Sequence, residues 1–245
     1  PPPFAVRGAR GAASARAATG VLHARDVRVT RVTRETPDAI SFELEDVRGD
    51  DFAFEPGQFL TVVLTIAGES YRRAYSICSV PEANGRAKRV TLATKRVAGG
   101  VVSGFLNERL TVGDVLQVLG PSGSFTVPPA SGPRHLVLLG GGSGITPLLS
   151  MARTYLAAEP TARVTLLYGN RREQDILFRA PLDELARAHG DRFQLRHVLA
   201  EPTTGWVGST GMLTRDVVTR ELAALGCGED CEYFLCGPEP MMLEA

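Results

Sequence analysis

Lysine is nearly missing from this 245-residue chain, because Lys88 and Lys95 carry its only two side-chain ammonium groups and arginine supplies the remaining positive charge. Lysine and arginine together number 27, as do aspartate and glutamate, so the net charge is close to zero. A protein that binds a polyanion needs excess positive charge to neutralise phosphates. The charge balance therefore argues against nucleic-acid binding.

Long hydrophobic runs are also missing. The longest apolar stretches, around Leu60–Ile66 and Leu136–Leu139, are far shorter than the ~20 residues that a membrane-spanning helix needs. The first residues lack the apolar region of a secretory signal peptide. We therefore expect neither a membrane span nor a signal peptide.

Cysteine and histidine are scarce, with four residues of each. The number and spacing of the cysteines do not suggest a secreted disulfide framework, so we expect reduced thiols and a cytoplasmic location. Cys231 and Cys236 have the C-x4-C spacing that begins a plant-type iron–sulfur run, but Glu239 stands where the next ligand would be. The four histidines are scattered along the sequence. We therefore expect no metal site.

The pattern of the chain changes twice along its length. Residues 1–20 are rich in Pro, Ala, Gly and Arg without periodicity, which predicts a flexible tail. Residues 21–130 contain short β-branched or alternating runs between turn residues, which favours an antiparallel β-barrel. The predicted strands are Val27–Val32, Ile40–Leu44, Phe59–Ile66, Tyr71–Ile77, Val90–Val97 and Val115–Val118, with a helix near Val101–Arg109.

A proline- and glycine-rich joint precedes the second domain, residues 131–245. There, short apolar strands alternate with helix-like segments, which predicts a parallel, doubly wound α/β sheet. The predicted strands are His135–Leu139, Val164–Tyr168, Gln194–Leu199 and Tyr233–Cys236, and the predicted helices are Leu148–Ala158, Leu182–Ala188 and Thr214–Leu225.

Two motifs of the first domain suit a cofactor that contains a pyrophosphate. Arg73 can donate two hydrogen bonds to phosphate oxygens, and Tyr75 lies on the same strand face, where its ring can cover an aromatic cofactor. The adjacent Ser76 can offer its hydroxyl to a ring nitrogen. Gly99 and Gly100 begin the helix-like segment, where free N–H groups can bind an anion. Each motif alone also fits a structural role, as a solvated arginine or a helix cap.

A glycine-rich loop, Gly140–Gly144, follows the first strand of the second domain and precedes a helix. This is the setting in which a loop binds the pyrophosphate of a dinucleotide. Pro147 replaces the last glycine of the usual fingerprint, but proline is well suited to a first helical turn.

Two more strand ends of the second domain carry polar or reactive groups. Arg171 and Arg172 suit the 2′-phosphate of NADPH, although Glu173 lies close in sequence and leaves NADH open. A solvated arginine pair is the structural alternative. Cys236 ends the last strand, where ligands bind in such sheets, although a lone apolar cysteine is more often a core residue.

Together and in this order, these motifs resemble the ferredoxin–NADP reductase superfamily over residues 24–242. Pro56–Phe59 and Gly120–Gly123 also fall where that family places them. Residues 168–171 and 236–242 look most like the reductase components of bacterial oxygenases, the phenylacetyl-CoA epoxidase type among them. The resemblance implies an FAD-dependent reductase that takes electrons from NADPH, or from NADH, and passes them to a one-electron acceptor.

The resemblance also implies roles for individual residues. Ser76 would lie near flavin N5 and Cys236 beside the nicotinamide, which makes them the two candidate catalytic residues. FAD would be bound by Arg73, Ala74, Tyr75, Ser76, Lys95, Val97, Gly99, Gly100, Val101 and Ser103. NAD(P) would be bound by Gly141, Gly142, Thr146, Asn170, Arg171, Cys236, Gly237, Pro238 and Met241.

Two departures from the family pattern concern the end of the chain. No aromatic residue follows Phe234, and no plant-type 2Fe–2S domain is present. We therefore expect a truncated chain whose acceptor is a 2Fe–2S ferredoxin-like protein, or such a domain after Ala245. A reductase that releases free flavin and a non-catalytic dinucleotide-binding regulatory module are the alternatives.

Overall fold

The first domain folds mainly as antiparallel strands. The computed structural model describes residues 24–128 and 132–245 and, at Ala5–Gly8, the backbone of a strand (β1). The strands of the first domain are Ala24–Thr36 (β2), Ala39–Asp46 (β3), Phe52–Ala53 (β4), Phe59–Ile66 (β5), Glu69–Ser76 (β6), Arg86–Ala87 (β7), Arg89–Lys95 (β8) and Val115–Ser122 (β9). One helix, Val101–Arg109 (α1), lies between β8 and β9.

Six of these strands form one sheet in the order β6-β5-β9-β2-β3-β8. Its two edges meet through a bridge between Ile77 and Leu92 and through a 2.9 Å hydrogen bond from the Cys78 N–H to the Thr91 carbonyl. The alternating apolar side chains point inward and form a buried core. The predicted antiparallel barrel is thereby confirmed.

The second domain alternates strands and helices, as its pattern predicts. Its elements are His135–Gly141 (β10), Ile145–Ala158 (α2), Arg163–Asn170 (β11), Arg179–His189 (α3), Phe193–Leu199 (β12), Ser209–Thr210 (β13), Arg215–Ala224 (α4), Glu232–Cys236 (β14) and Glu239–Glu244 (α5). The sheet order is β1-β14-β10-β11-β12-β13, with β10 to β14 parallel and β1 antiparallel to β14. The predicted parallel α/β sheet is confirmed.

Strand β1 falls within the segment for which the sequence predicts a flexible tail. It pairs Ala5 with Cys236 and Gly8 with Tyr233, on the outer side of β14. The remainder of that predicted tail lies outside the described residues. A four-residue strand carries too little periodicity to be read from composition.

The order of the parallel strands places a crevice beside β10. The chain proceeds from β10 through β11 and β12 in one direction, and β14 then returns to the other side of β10. In open α/β sheets, ligands bind at the carboxyl ends of the strands where the order reverses in this way. That edge carries both the glycine loop and Cys236.

The two domains share a hydrophobic core. Ala39, Cys78 and Ala93 of the barrel belong to the same buried cluster as Ile145 and Leu148 of α2. The Ser150 hydroxyl, fully buried, donates a 2.6 Å hydrogen bond to the Ser79 carbonyl across the boundary. This packing positions the barrel against the nucleotide edge of the second sheet.

Arg134 secures the joint between the domains. Its side chain is 3% exposed and donates to both carboxylate oxygens of Glu232, over 2.8 and 2.7 Å. It also donates to the Pro128 carbonyl over 3.0 Å. The guanidinium therefore ties the end of the barrel to the start of β14. No helix in the part of the chain that the structure describes is long and apolar enough to cross a membrane.

Candidate functional site

The glycine loop and the end of β14 pack directly against each other. Gly140 pairs with Cys236 in the parallel ladder. At Gly144, a Cβ atom would stand 2.0 Å from the Cys236 carbonyl oxygen, so only glycine permits this approach. Gly144 was not among the predicted site residues, although it is the loop residue nearest to that carbonyl.

Gly141, Gly237, Pro238 and Met241, which were predicted from separate motifs, lie together. A Cβ atom at Gly141 would lie 2.5 Å from the Met241 sulfur and 2.9 Å from Pro238 Cδ. A Cβ atom at Gly237 would lie 2.9 Å from Met241 Cε. Helix α5 therefore packs onto the loop, and these glycines are required for that packing.

The outer part of the loop is open to a ligand. Gly142 has φ +52°, and a Cβ atom there would meet nothing within 4 Å. Helix α2 begins directly after the loop, and no side chain caps its first N–H groups. The loop is held in shape by 2.9 Å hydrogen bonds from the Tyr168 hydroxyl to the Gly142 carbonyl and from Thr146 to the Ser143 carbonyl. The Ile145 N–H already donates to the Gly142 and Ser143 carbonyls, and the turn at 142–144 that precedes α2 has no side-chain cap. An uncapped turn that leads into a 14-residue helix fits the pyrophosphate of a dinucleotide.

Asn170 ends β11 beside the loop, and its side chain needs a partner. Both its amide nitrogen and its amide oxygen are buried and have no hydrogen-bond partner within the described residues. A buried amide left unpaired costs free energy, so such groups usually meet a ligand or water. Asn170 thus fits its predicted position at the nucleotide.

Arg171 and Arg172 share one carboxylate. Arg171 Nε lies 2.9 Å and Arg172 Nη2 lies 2.8 Å from the two oxygens of Glu201, which follows β12. The two arginines hold the pKa of Glu201 below its ordinary value. Glu201 was not predicted from the sequence. The feature that could have identified it is its position as an acidic residue just past the end of a parallel strand. A 2′-phosphate would therefore meet arginines that already have an anionic partner.

Cys236 is 2% exposed, and burial raises the pKa of its thiol to about 12. This burial favours the neutral thiol over the thiolate near pH 7. A neutral, buried side chain at the end of β14 suits close packing against an uncharged ring.

The predicted flavin motif lies on β6. Arg73 pairs with Val62 and Tyr75 with Leu60 on the neighbouring strand, so both point to one face, while Ser76 points to the other. Arg73 is exposed, and no carboxylate of the described residues lies within salt-bridge range of it. Its one side-chain hydrogen bond goes to the Arg72 carbonyl over 2.8 Å. A free guanidinium fits a pyrophosphate.

The second flavin motif forms the start of α1. Gly100 is the N-cap of this nine-residue helix without a capping side chain, and Gly99 has φ +71° with open space at its Cβ position. The Ser103 hydroxyl accepts the Val97 N–H over 3.1 Å and donates to the Gly100 carbonyl over 3.3 Å. Ser103 therefore shapes the loop. The Gly100 N–H donates to the Val97 carbonyl over 2.9 Å, so the N–H groups that remain for a phosphate are those of the first turn of α1.

The side chains around this helix start are exposed. Val97 is 62% and Val101 48% exposed, and Lys95 lies 3.5 Å from Asp38. Strand β8, which carries Lys95 and contacts both β6 and α1, also contacts residues 142–144. The structure therefore places the barrel strand next to both flavin motifs against the dinucleotide loop.

A separate cavity of about 780 Å³ lies elsewhere on the barrel. Side chains of both charges line it, including Asp46, Arg48 and Lys88. None of the predicted site residues lines this cavity.

Comparisons with known proteins match both domains. The oxidoreductase FAD-binding domain matches residues 26–127, and the oxidoreductase NAD-binding domain matches residues 138–245. Ferredoxin–NADP reductase B of Sorangium cellulosum is 38% identical over 205 residues, which cover 83% of this chain and 81% of that protein. The chain belongs to the ferredoxin–NADP reductase superfamily.

Other members of the superfamily are longer than this chain. A component of the 1,2-phenylacetyl-CoA epoxidase of Escherichia coli is 33% identical over 222 residues, covering 86% of this chain and 59% of that component. The structure of the Amycolatopsis cytochrome P450 reductase GcoB matches with a TM-score of 0.77 and 29% identity, over 94% of this chain and 67% of GcoB. The chain thus spans about three fifths to two thirds of these two relatives.

Membership confirms the predicted class of protein. The chain is an NAD(P)H-dependent flavoprotein reductase with one domain for FAD and one for NAD(P). The open glycines, uncapped helix starts and free Arg73 fit both cofactors. The roles of single residues remain predictions.

Proposed function

We propose that this reductase passes electrons from NADPH or NADH through FAD to a one-electron acceptor protein, either a 2Fe–2S ferredoxin or an oxygenase component. The observation that carries the proposal is that β8, which contacts both β6 and α1, also contacts the glycine loop that packs against Cys236. A relative that serves an oxygenase supports this class of electron acceptor. The ferredoxin reductase component of the Rhodococcus rhodochrous 3-ketosteroid-9-alpha-monooxygenase is 36% identical over 213 residues, covering 85% of this chain and 56% of that component.

The two cofactors supply the redox chemistry when bound, with a hydride passing from the nicotinamide to the flavin and electrons leaving singly. The protein holds them and excludes water. Arg73 and the N–H groups in the first turn of α1, at Val101 and Ser103, bind the FAD pyrophosphate, and Tyr75 covers the flavin. Ser76 donates its hydroxyl near flavin N5, while Cys236 packs against the nicotinamide. Close, oriented placement of the reacting atoms is the main catalytic contribution that such residues make.

The remaining residues of the proposed dinucleotide site hold the other end of NAD(P). Loop residues around Gly142 bind the pyrophosphate, and the buried amide of Asn170 binds the adenosine ribose. Arg171 approaches the 2′ position, which favours NADPH to the extent that Glu201 leaves it free. We retain the cytoplasmic location as a prediction from the four free cysteines.

The visible spectrum of the purified protein tests the proposal. We expect bound-flavin bands that survive desalting and that bleach anaerobically on addition of NADPH or NADH. A flavin that is lost on desalting and reduced only when free would favour the free-flavin reductase. Bound dinucleotide without flavin reduction would favour the regulatory module.

The variant Arg73→Ala tests the proposed contact with FAD. Its control is Arg72→Ala, on the opposite face of the same strand. Arg73→Ala should weaken FAD binding at least about tenfold, because a charge-assisted contact to phosphate is lost, whereas Arg72→Ala should bind FAD normally. Equal losses in both variants would contradict the assignment. Reduction assays with a 2Fe–2S ferredoxin and with cytochrome b5 then separate the acceptor classes.

A further inference from the structure

A histidine and two cysteines meet at the edge of the second sheet opposite to the dinucleotide site. The ligand atoms of His135, Cys227 and Cys231 all lie within 4.8 Å of one another. His135 is the first residue of β10, while the cysteines lie in the loop between α4 and β14. The seven residues of β10 separate this cluster from the glycine loop by about 20 Å.

We propose that His135, Cys227 and Cys231 form a binding site for a divalent metal ion of the zinc class. The spacing C-x3-C lies within the range in which cysteine pairs bind Zn²⁺. Neutral imidazole and thiolates are the ligands that this borderline-soft ion prefers. The site replaces our expectation, from the scattered histidines, that the chain holds no metal.

The distances agree with tetrahedral coordination. Zn–S and Zn–N bonds of about 2.3 and 2.0 Å place neighbouring ligand atoms about 3.5 Å apart. The Cys231 sulfur lies 3.4 Å from His135 Nδ1. This distance, and the 4.8 Å limit that holds for all three ligand atoms, fit an ion placed between them.

Hydrogen bonds orient the imidazole for this role. The Thr165 hydroxyl lies 3.1 Å from Gln194 Oε1, to which it can donate, and 2.8 Å from His135 Nε2, from which it can then accept. In the neutral ring this leaves the Nδ1 lone pair directed at Cys231. Metal-binding histidines are commonly fixed in this way by a partner on the other ring nitrogen.

The charge of the site also suits an ion of charge +2. Binding would form two Zn–S bonds and one Zn–N bond and release two thiol protons to solvent, which leaves a neutral assembly in partly buried surroundings. All three residues are partly exposed, so water can occupy the fourth position. The metal would join the start of β10 to the loop before β14 and thereby stabilise the sheet edge.

The test measures metal in the full flavoprotein after expression with added zinc and extensive dialysis. We expect about one Zn²⁺ per chain by mass spectrometry. Cys227→Ser, Cys231→Ser and His135→Gln should each lower the affinity at least about tenfold. Cys78→Ser is the control, because Cys78 lies outside the cluster and its serine hydroxyl can still donate to the Thr91 carbonyl.

Cobalt provides a measurement that needs no variant. Co²⁺ added to the metal-free flavoprotein should produce the visible bands of a four-coordinate ion and thiolate charge transfer, seen as a difference spectrum against the same sample without cobalt. Removal of the metal should lower Tm by roughly 5 °C. NAD(P)H should still bleach the flavin, since the two sites lie at opposite edges of the sheet.

Two results would overturn the proposal. One is a protein with four free thiols that takes up neither Zn²⁺ nor Co²⁺, which would make the cluster only a hydrogen-bonded contact. The other is a Cys227–Cys231 disulfide in the purified protein without bound metal. Neither result would bear on electron transfer through FAD.

Discussion

At the scale of single residues, Gly144 is required for reasons of space rather than conformation. Its φ of −63° is open to any residue, but a Cβ atom would lie 2.0 Å from the Cys236 carbonyl oxygen. We predict that Gly144→Ala lowers the free energy of unfolding by about 1–3 kcal/mol, as overpacking does, and raises the KM for NAD(P)H. Urea unfolding and steady-state kinetics measure both effects.

Gly104→Ala is the matched control for this variant. Gly104 lies within α1, where an added Cβ atom would meet nothing within 4 Å. Because alanine favours a helix over glycine, this variant should gain about 0.5–1 kcal/mol. Equal stability of both variants would show that the loop can move away from Cys236.

Under the proposed dinucleotide assignment, the pair formed by Arg171 and Glu201 should influence the choice between the two nicotinamides. We predict that Arg171→Ala lowers kcat/KM for NADPH about tenfold and leaves NADH nearly unchanged, since only NADPH carries the 2′-phosphate. Glu201→Gln should act in the opposite direction, because it frees both arginines. An equal loss with both nicotinamides after Arg171→Ala would place the arginine away from the 2′ position.

Sequence reasoning identified single residues best where a motif is continuous. The motifs of Gly141 and of Gly237 to Met241, which the structure packs together, could be recognised because each run joins a strand end to a helix start, which constrains the backbone locally. Their roles in cofactor binding stay predictions. Glu201 and the cluster of His135 with two cysteines were not found. Their partners lie far away in the sequence, and only the strand order brings them together.

At the scale of elements, α2 connects the two domains. Its residues Ile145–Ala152 are all buried, and Ser150 donates its short hydrogen bond to the barrel. We predict that Ser150→Ala lowers the free energy of unfolding by about 1–2 kcal/mol, because the Ser79 carbonyl loses this donor in a buried setting. Denaturant unfolding followed by flavin and by far-ultraviolet signals measures the loss.

Thr154→Val is the control on the same helix. The Thr154 hydroxyl is buried and has no hydrogen-bond partner among the described residues, so its replacement by an isosteric methyl group should be neutral or stabilising. A similar loss in both variants would assign the Ser150 effect to general disturbance of α2.

Whether a strand or helix could be predicted from the sequence depended on its length. Strands of five or more residues and helices of nine or more were predicted, because their apolar periodicity extends over several positions. The two-residue strands β4, β7 and β13 and the four-residue β1 were not, since so few positions carry no period. Their pairing depends on distant strands.

At the scale of the whole molecule, the buried imidazole of His197 makes the free energy of unfolding depend on pH. It lies opposite Tyr168 in the sheet, with ring centroids 5.7 Å apart, and neither ring nitrogen has a partner among the described residues. Burial lowers the pKa of His197 from 6.5 to about 4; Asp183 opposes this shift and Arg179 adds to it. Between these values the unfolded chain binds the proton more readily than the folded protein.

We therefore predict that the contribution of the neutral His197 imidazole to the free energy of unfolding is fully present above pH 6.5. It is lost as the pH falls towards 4. The loss should be on the order of 2 kcal/mol. Urea midpoints between about pH 7.5 and 4.5 measure it, and His197→Gln should flatten the dependence. His189→Gln, at a less buried histidine, should change it less. An unchanged slope after His197→Gln would contradict the prediction.

The pairing of β1 with β14 also has a consequence for the order of folding. The barrel sheet is complete once β9 has paired with β2 and β5, which needs only the first half of the chain, whereas β1 can pair only after the last parallel strand has formed. Contacts between segments so distant in sequence form slowly, because a long loop must close first. During synthesis, a barrel that can bind FAD would therefore be complete before β1 can pair with β14.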